Sequence, residues 1–195
     1  GTDCQPNPCR DPGDDCDHPL VIPAVKYTET NTTCGHGNDY AGPFSGPWDG
    51  EDIVYQFVLA TESCLSIYVE TSSPSCRLVV GDQCSANGPN CLLCGGCNLP
   101  NVHLMAGTYY LMIDSETPPD CISEFTLTIE DHSETGACCF IDSCVGDMSE
   151  VECLAGGGTW HFCESCSSGY VCQRMGACCI QGICIGEMPY QQCCV

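Results

Sequence analysis

Positive charge is what this sequence most lacks. Only Arg10, Lys26, Arg77 and Arg174 face 26 acidic residues, for a formal net charge of −22. Such a chain repels phosphate backbones, which excludes nucleic acid as a partner, and an anionic membrane surface is excluded on the same ground. Long apolar runs are missing too, and none reaches the roughly 18 residues needed to span a bilayer. Helical periodicity is almost absent. There is no Gly-x-Ser-x-Gly elbow, and His18, His36, His103, His132 and His161 stand in no triad order. Carboxylates abound, but among so many chance proximity is expected, so they identify no glycosidase pair. The chain reads as non-enzymatic and without a cofactor. The sequence opens without an export signal, which is expected to have been removed.

Cysteine is what it has in excess, with 23 in 195 residues. That density belongs to disulfide scaffolds of oxidising compartments, so the chain reads as extracellular, secreted or on a cell surface. Cys4, Cys9 and Cys16 lie before residue 17. Cys34, Cys64, Cys76, Cys84, Cys91, Cys94, Cys97 and Cys121 form a middle block. Cys138, Cys139, Cys144, Cys153, Cys163, Cys166 and Cys172 follow, then Cys178, Cys179, Cys184, Cys193 and Cys194. All are expected to be disulfide cysteines, less the odd one. The middle eight are even in number and can close on themselves; the first three and the last five also make eight and can form one unit.

The end of the chain repeats itself. Gly136-Ala-Cys-Cys-Phe-Ile-Asp-Ser-Cys144-Val-Gly-Asp-Met148 returns forty residues later as Gly176-Ala-Cys-Cys-Ile-Gln-Gly-Ile-Cys184-Ile-Gly-Glu-Met188, and Cys153 returns as Cys193. The first copy continues through Gly158-Thr-Trp160 to Cys163, Cys166 and Cys172; the second ends at Val195. A repeat leans on its continuation to bury its apolar residues. The opening Gly1-Thr-Asp-Cys4 reads as the displaced half. Between molecules this makes a head-to-tail contact, which propagates into a filament unless the rotation closes. The competing expectation is a fragment of a longer secreted protein cut within tandem modules. Ser149-Glu-Val-Glu152 is a capping box, predicting a short helical turn before Cys153, and Pro189 stands where the same turn would start in the second copy.

Between the ends the pattern is β. Residues 1–17 read as an extended Cys-rich arm. Its Asp11, Asp14, Asp15 and Asp17 do not follow a calcium-loop spacing, although the net charge leaves calcium open as a ligand. Leu20–Val25, Tyr27–Thr33, Asp52–Leu59, Cys64–Glu70, Arg77–Val80, Val102–Met105, Thr108–Asp114 and Phe125–Glu130 are short and strand-like. Ala106-Gly107 reads as a hairpin turn between the sixth and seventh, and Gly81–Pro100 as a Cys-rich excursion. The expected fold is all-β: a jelly-roll-like antiparallel β-sandwich over residues 18–131, then a Cys-rich repeat over 132–175 and a second, incomplete one over 176–195.

Three stretches carry a resemblance. Gly50-Glu-Asp-Ile-Val-Tyr-Gln-Phe57, Leu104-Met-Ala-Gly-Thr-Tyr-Tyr-Leu-Met-Ile-Asp114 and Phe125-Thr-Leu-Thr-Ile129 resemble, in order, the motifs of bacterial pre-peptidase C-terminal domains. The resemblance covers about residues 18–131. It implies a jelly-roll-like, non-enzymatic accessory module that binds polysaccharide, protein or a surface, and some of that family bind calcium. Cys91, Cys94 and Cys97 depart from it. Gly136–Trp160 is similar to "Gly-Ala-Cys-Cys … Gly-Gly-Thr-Trp" modules of large secreted bacterial proteins.

Two metal-like clusters compete with disulfides. Cys91-Leu-Leu-Cys94-Gly-Gly-Cys97, with Cys84 or His103 as a fourth ligand, has zinc-like spacing, as does His161-Phe-Cys163 with Cys166. In a secreted chain so rich in cysteine, disulfides are the preferred reading of both, and no metal site is assigned. The sequon Asn31-Thr-Thr33 marks Asn31 for N-glycosylation, within a Thr-rich stretch suited also to O-glycans. The reading is a secreted structural subunit whose partners are copies of itself, residues 1–16 of one packing on Gly176–Val195 of the next. The alternatives are a carbohydrate- or protein-binding accessory module of a larger hydrolase or adhesin, with glycan or surface polysaccharide as ligand, and calcium-dependent adhesion.

Overall fold

The computed structural model describes residues 10–40, 50–73, 76–115, 121–141 and 143–172, together with the backbone of residues 175–180 and 183–189. The chain divides into two compact units, Gly1–Asp131 and His132–Val195.

The first unit is an all-β sandwich. It contains β1 (Leu20–Val21), β2 (Tyr27–Asn31), β3 (Ile53–Leu59), β4 (Ser63–Thr71) and β5 (Arg77–Gly81). The Cys-rich excursion is itself built from short strands, β6 (Cys84–Ser85), β7 (Gly88–Pro89) and β8 (Leu93–Gly95). Then come β9 (Asn98–Leu104), β10 (Gly107–Asp114) and β11 (Phe125–Asp131). One sheet runs β1-β3-β10-β5-β8, the other β2-β11-β4-β9, and β6 with β7 makes a separate ribbon. Among the described residues all pairings are antiparallel except that of β1 beside β3, where Leu20 lies opposite Tyr55.

Period-two alternation fills the core. Strand β11 buries Phe125, Leu127 and Ile129 between the sheets and turns Thr126 and Thr128 outward. They meet Tyr55, Phe57, Leu111 and Ile113 of the opposite sheet, together with Leu65, Ile67 and Leu78. Each such side chain contributes roughly 1.5–3 kcal/mol of burial. Central strands β3 and β10 are buried on both faces over part of their length: Val54 and Met112 join Val79 under Tyr40, a second small core on the outer side of the five-stranded sheet.

Two expectations about connections are corrected. Val102–Met105 and Thr108–Asp114 do not form a hairpin, because β9 belongs to the four-stranded sheet and β10 to the five-stranded one. Val102 and Leu104 enter the core from one side, Tyr109 and Leu111 from the other. The Ala106-Gly107 step therefore crosses the sandwich, tied by the Tyr109 hydroxyl donating to the Met105 carbonyl at 3.0 Å. The acidic segment after Arg10 is no free arm either. The Gly13 carbonyl accepts the Val54 N–H at 2.8 Å, and Cys16 is bonded to Cys84. Gly13 has φ +101°, and a Cβ there would come within 3.0 Å of Ile53 Cγ1, so only glycine lets the segment lie this close to β3. Residues 10–17 thus pack on the sandwich, and the middle cysteines do not close on themselves.

The second unit holds β12 (Gly136–Phe140), β13 (Ser143–Met148), α1 (Glu150–Ala155), β14 (Thr159–Phe162), β15 (Met175–Ile180) and β16 (Ile183–Pro189). The capping box forms: Ser149 Oγ accepts the Glu152 N–H at 3.3 Å, and the Glu152 carboxylate accepts the Ser149 N–H at 3.2 Å. So short a helix is marginal alone; the Cys153–Cys138 bridge holds it to β12. Pro189 closes β16, and the residues that would continue into a helix lie outside those described.

Candidate functional site

The first Cys-rich module has two halves held together by identifiable contacts. The front half is the β12–β13 hairpin plus α1; the back half is β14 and the turn after it. Strand β12 pairs with β13 on one edge and with β14 on the other, in the order β13-β12-β14. Gly136 allows the close approach, since a Cβ there would stand 2.4 Å from the His161 carbonyl oxygen and 2.8 Å from the Trp160 ring. Trp160 lies half-buried against Phe162, and its Nε1–H donates to the Met148 carbonyl at 2.9 Å. Asp147 at the end of β13 accepts from the Ser165 hydroxyl at 2.6 Å and the Cys166 N–H at 2.7 Å, holding the turn. Cys139–Cys172 and Cys144–Cys166 then bolt the hairpin to the back half, while Cys138–Cys153 stays within the front half.

The described backbone of the second copy reproduces the β12–β13 hairpin pair for pair. Gly136 opposite Met148, Ala137 opposite Asp147, Cys138 opposite Gly146 and Cys139 opposite Cys144 recur as Gly176–Met188, Ala177–Glu187, Cys178–Gly186 and Cys179–Cys184. Even the register shift recurs, between Cys138 and Cys139 and again between Cys178 and Cys179. Among the described residues β15 pairs only with β16 and has no counterpart of β14 on its other edge.

A second notable region lies where the N-terminal segment crosses the sandwich. A cleft of about 330 Å³ is lined by Arg10, Asp15, Asp39, Tyr40, Cys84 and Ser85, among others. Arg10 Nη1 donates to Asp39 at 2.6 Å and pairs with Asp15 at 3.2 Å, so this guanidinium is already engaged by carboxylates. Burial pushes the Asp15 carboxyl up, but hydrogen bonds from His18 and from the Asp17 and His18 amides outweigh it and leave the group below its ordinary range. His36 Nδ1 meets Asp14 at 2.9 Å and ties the same segment to the loop after β2. Beneath lies Asp52, fully buried, whose Oδ2 accepts the Asp39 and Tyr40 N–H groups at 3.1 Å each. Its Oδ1 is buried without a hydrogen-bond partner. Burial, aided by the charge of Asp114, pushes its carboxyl up to about 8. Neither the Asp52 site nor the Asp14–His36 tie was singled out from the sequence. The signal present was an acidic residue entering an apolar strand at Glu51-Asp52-Ile53.

The cysteine map corrects the grouping expected from the sequence. Cys16–Cys84 and Cys34–Cys121 span long loops, Cys76–Cys97 an intermediate one, and Cys91–Cys94 a short one. Cys64 and Cys163 are disulfide-bonded as well. The zinc-like run Cys91/Cys94/Cys97 is therefore split between two bridges, Cys84 is taken by Cys16, and His103 faces Glu62. The His161 ring lies tilted against that of Tyr170, whose hydroxyl lies 3.1 Å from its Nδ1. Among the described residues one group of potential metal ligands converges, Cys139, Cys144 and Cys172, and disulfides consume all three sulfurs. Cys4, Cys9, Cys193 and Cys194, and the side chains of Cys178, Cys179 and Cys184, lie outside what is described. Asn31 is half-buried: its Nδ2 donates to Glu29 at 3.1 Å and to the Tyr55 hydroxyl at 3.0 Å, bonds that a glycan on that nitrogen would displace.

No family model matches the chain, and no curated protein matches it. Solved structures similar to it cover 57% of the chain. One is the pre-peptidase C-terminal domain of a collagenase from Bacillus anthracis, 16% identical, covering 57% of this chain and 93% of that one with a TM-score of 0.39. Two others are periplasmic inhibitors of g-type lysozyme called PliG. That of Aeromonas hydrophila is 12% identical, covering 57% of this chain and 95% of that one at a TM-score of 0.37. That of Salmonella Typhimurium is 11% identical, covering 57% and 96% at 0.30.

Proposed function

We propose that the chain is a secreted, non-enzymatic structural subunit that assembles head to tail into an extracellular filament. In this reading the N-terminal residues 1–9 of one copy complete the second Cys-rich module of the next. One observation carries it. Strand β15 has the same hairpin partner, register and bulge as β12, yet among the described residues its other edge lacks the strand that β14 supplies to β12. An unpaired edge is a template for a strand from another chain. Residues 10–17, once counted with the donor arm, are held by their own sandwich and so serve as the anchor that fixes where the donor segment emerges. The contact is heterologous, which is what propagates. The disulfide-dense composition fits an oxidising extracellular setting.

Electron microscopy of the native, non-reduced protein tests this reading. Filaments with one subunit per repeat are expected, and a chain beginning at Arg10 should not form them. Filaments of undiminished length from that shortened chain would overturn it.

A second reading is favoured by the outer face of the four-stranded sheet. Thr30 and Thr28 lie opposite Thr126 and Thr128, which in turn lie opposite Glu70 and Tyr68. The Thr30 and Thr126 hydroxyls meet at 3.3 Å. A flat face of hydroxyls with one aromatic ring suits a neutral polysaccharide, and a glycan-array screen with a Tyr68→Ala control tests it.

A further inference from the structure

Two disulfides of the first Cys-rich module lie against each other. The sulfurs of Cys139, Cys144 and Cys172 all stand within 4.8 Å of one another, although Cys139 is bonded to Cys172 and Cys144 to Cys166. Among the described residues no other three cysteine sulfurs converge in this way. The two bridges differ in access. Cys139 and Cys172 are buried, at 4% and 6% exposure, whereas Cys144 and Cys166 are half-buried. A thiolate arriving from solvent therefore meets Cys144–Cys166 first, and the sulfur released from that bridge already has the second bridge as its neighbour. The backbone also offers each sulfur an alternative partner. Cys139 and Cys144 stand opposite each other in the β12–β13 hairpin. Directly opposed residues of an antiparallel pair have Cα atoms about 4.5–5.5 Å apart, inside the roughly 4.4–6.8 Å that a disulfide needs. Cys166 and Cys172 flank one turn, closed by the Gly169 N–H donating to the Cys166 carbonyl and the Tyr170 N–H to the Ser165 carbonyl, each at 3.2 Å.

We propose that Cys139, Cys144, Cys166 and Cys172 form a disulfide-exchange site that takes a small-molecule thiol, independently of any assembly between chains. The incoming thiolate attacks Cys166 Sγ, forms a mixed disulfide there and expels the Cys144 thiolate. Cys144 attacks Cys139 Sγ; the Cys139–Cys144 bond forms and Cys172 leaves as the thiolate. Cys172 then attacks Cys166 Sγ; the Cys166–Cys172 bond forms and the original thiolate departs. Each step makes one S–S bond and breaks one, so no electron or proton is gained or lost and the thiol is a catalyst. In the product neither bridge joins the hairpin to the back half. The contacts that remain include the β12–β14 pairing, the Trp160 bond to Met148 and the Asp147 bonds to Ser165 and Cys166. The site thus loosens the hold of the hairpin on the back half without reducing the module. The original bridges span sequence separations of 33 and 22, far longer than the loops closed by the exchanged pair. Longer loops constrain the unfolded chain more, so the original pairing stays in the majority.

The test is a time course of the native full chain with reduced glutathione at mildly alkaline pH. Samples are quenched in acid and digested with pepsin, conditions that keep thiols protonated and stop exchange. Peptides joining Cys166 to Cys172, detached from the hairpin peptides, should appear and rise to a plateau. Cys16–Cys84 and Cys34–Cys121 should stay as they are over the same period. Unchanged pairing of Cys139, Cys144, Cys166 and Cys172 throughout would overturn the proposal. So would reduction of Cys144–Cys166 with Cys139–Cys172 left intact, or scrambling of Cys16–Cys84 at the same rate. Cys166→Ser supplies the freed Cys144 with no added thiol. Alkylation of that variant, its sandwich checked by circular dichroism, should divide between Cys144 and Cys172. Label on Cys144 and none on Cys172 would overturn the second step and with it the exchange.

Discussion

The buried carboxylate at Asp52 gives the sandwich a stability that depends on pH in a direction opposite to that of an ordinary ion-paired acid. Its folded carboxyl is pushed up to about 8 by burial and by Asp114, against 3.8 for the unfolded chain. Between those values the folded state keeps a proton that the unfolded state has released. Stability therefore falls as pH rises across the window and levels off above about 8, by at most ~1.4 kcal/mol per pH unit. From pH 5 to pH 7 the ceiling is about 2.7 kcal/mol; with relaxation and water access, a loss of roughly 1–2 kcal/mol is the expected size. Asp52→Asn keeps an oxygen to accept the Asp39 and Tyr40 amides and removes the charge. Thermal unfolding by circular dichroism at pH 5, 7 and 9, disulfides intact, should show the wild type losing several degrees between pH 5 and 8. The variant should be flat over that range and the more stable of the two at pH 9. A variant with the wild-type slope would refute the assignment of the buried proton to Asp52.

Other perturbations have equally definite outcomes. Cys16→Ser with Cys84→Ser opens a loop of 68 residues and should cost about 2–4 kcal/mol, with limited proteolysis then expected to cut near Asp11–Asp17 faster than in the intact protein. Trp160→Ala removes both the packing on Gly136 and the bond to Met148; it should destabilise the first module by roughly 2–3 kcal/mol, read by hydrogen exchange at β12 and β14 while β3 and β10 stay protected. Asn31→Gln should lower the sandwich's unfolding midpoint even in protein made without a glycosylation system, because Nδ2 is committed to Glu29 and Tyr55; an unchanged midpoint would mean those bonds contribute nothing.

The strands were readable because each presents one apolar face, as in Phe125, Leu127 and Ile129 against Thr126 and Thr128. The forty-residue repeat was readable because its cysteines recur in register, and the β12–β13 and β15–β16 pairings follow that register residue for residue. What was lost is what depends on partners distant in the chain. Nothing near Cys16 names Cys84, so the even count of the middle block pointed to the wrong closure. Ala106-Gly107 has the composition of a hairpin turn, and only the burial of Leu104 and Tyr109 from opposite sheets reveals a crossover. Asp52 looked like one of many acids because burial at the start of β3 depends on Tyr40 and Asp39 arriving from another loop.

Light scattering of the full chain beside the chain that begins at Arg10 is the most direct measure of assembly. Under non-reducing conditions the full chain should form species at multiples of 20.8 kDa that grow with concentration, and the shortened chain should remain a monomer. A full chain that stays at 20.8 kDa, or a shortened chain that assembles equally well, would contradict head-to-tail completion of the second module by residues 1–9.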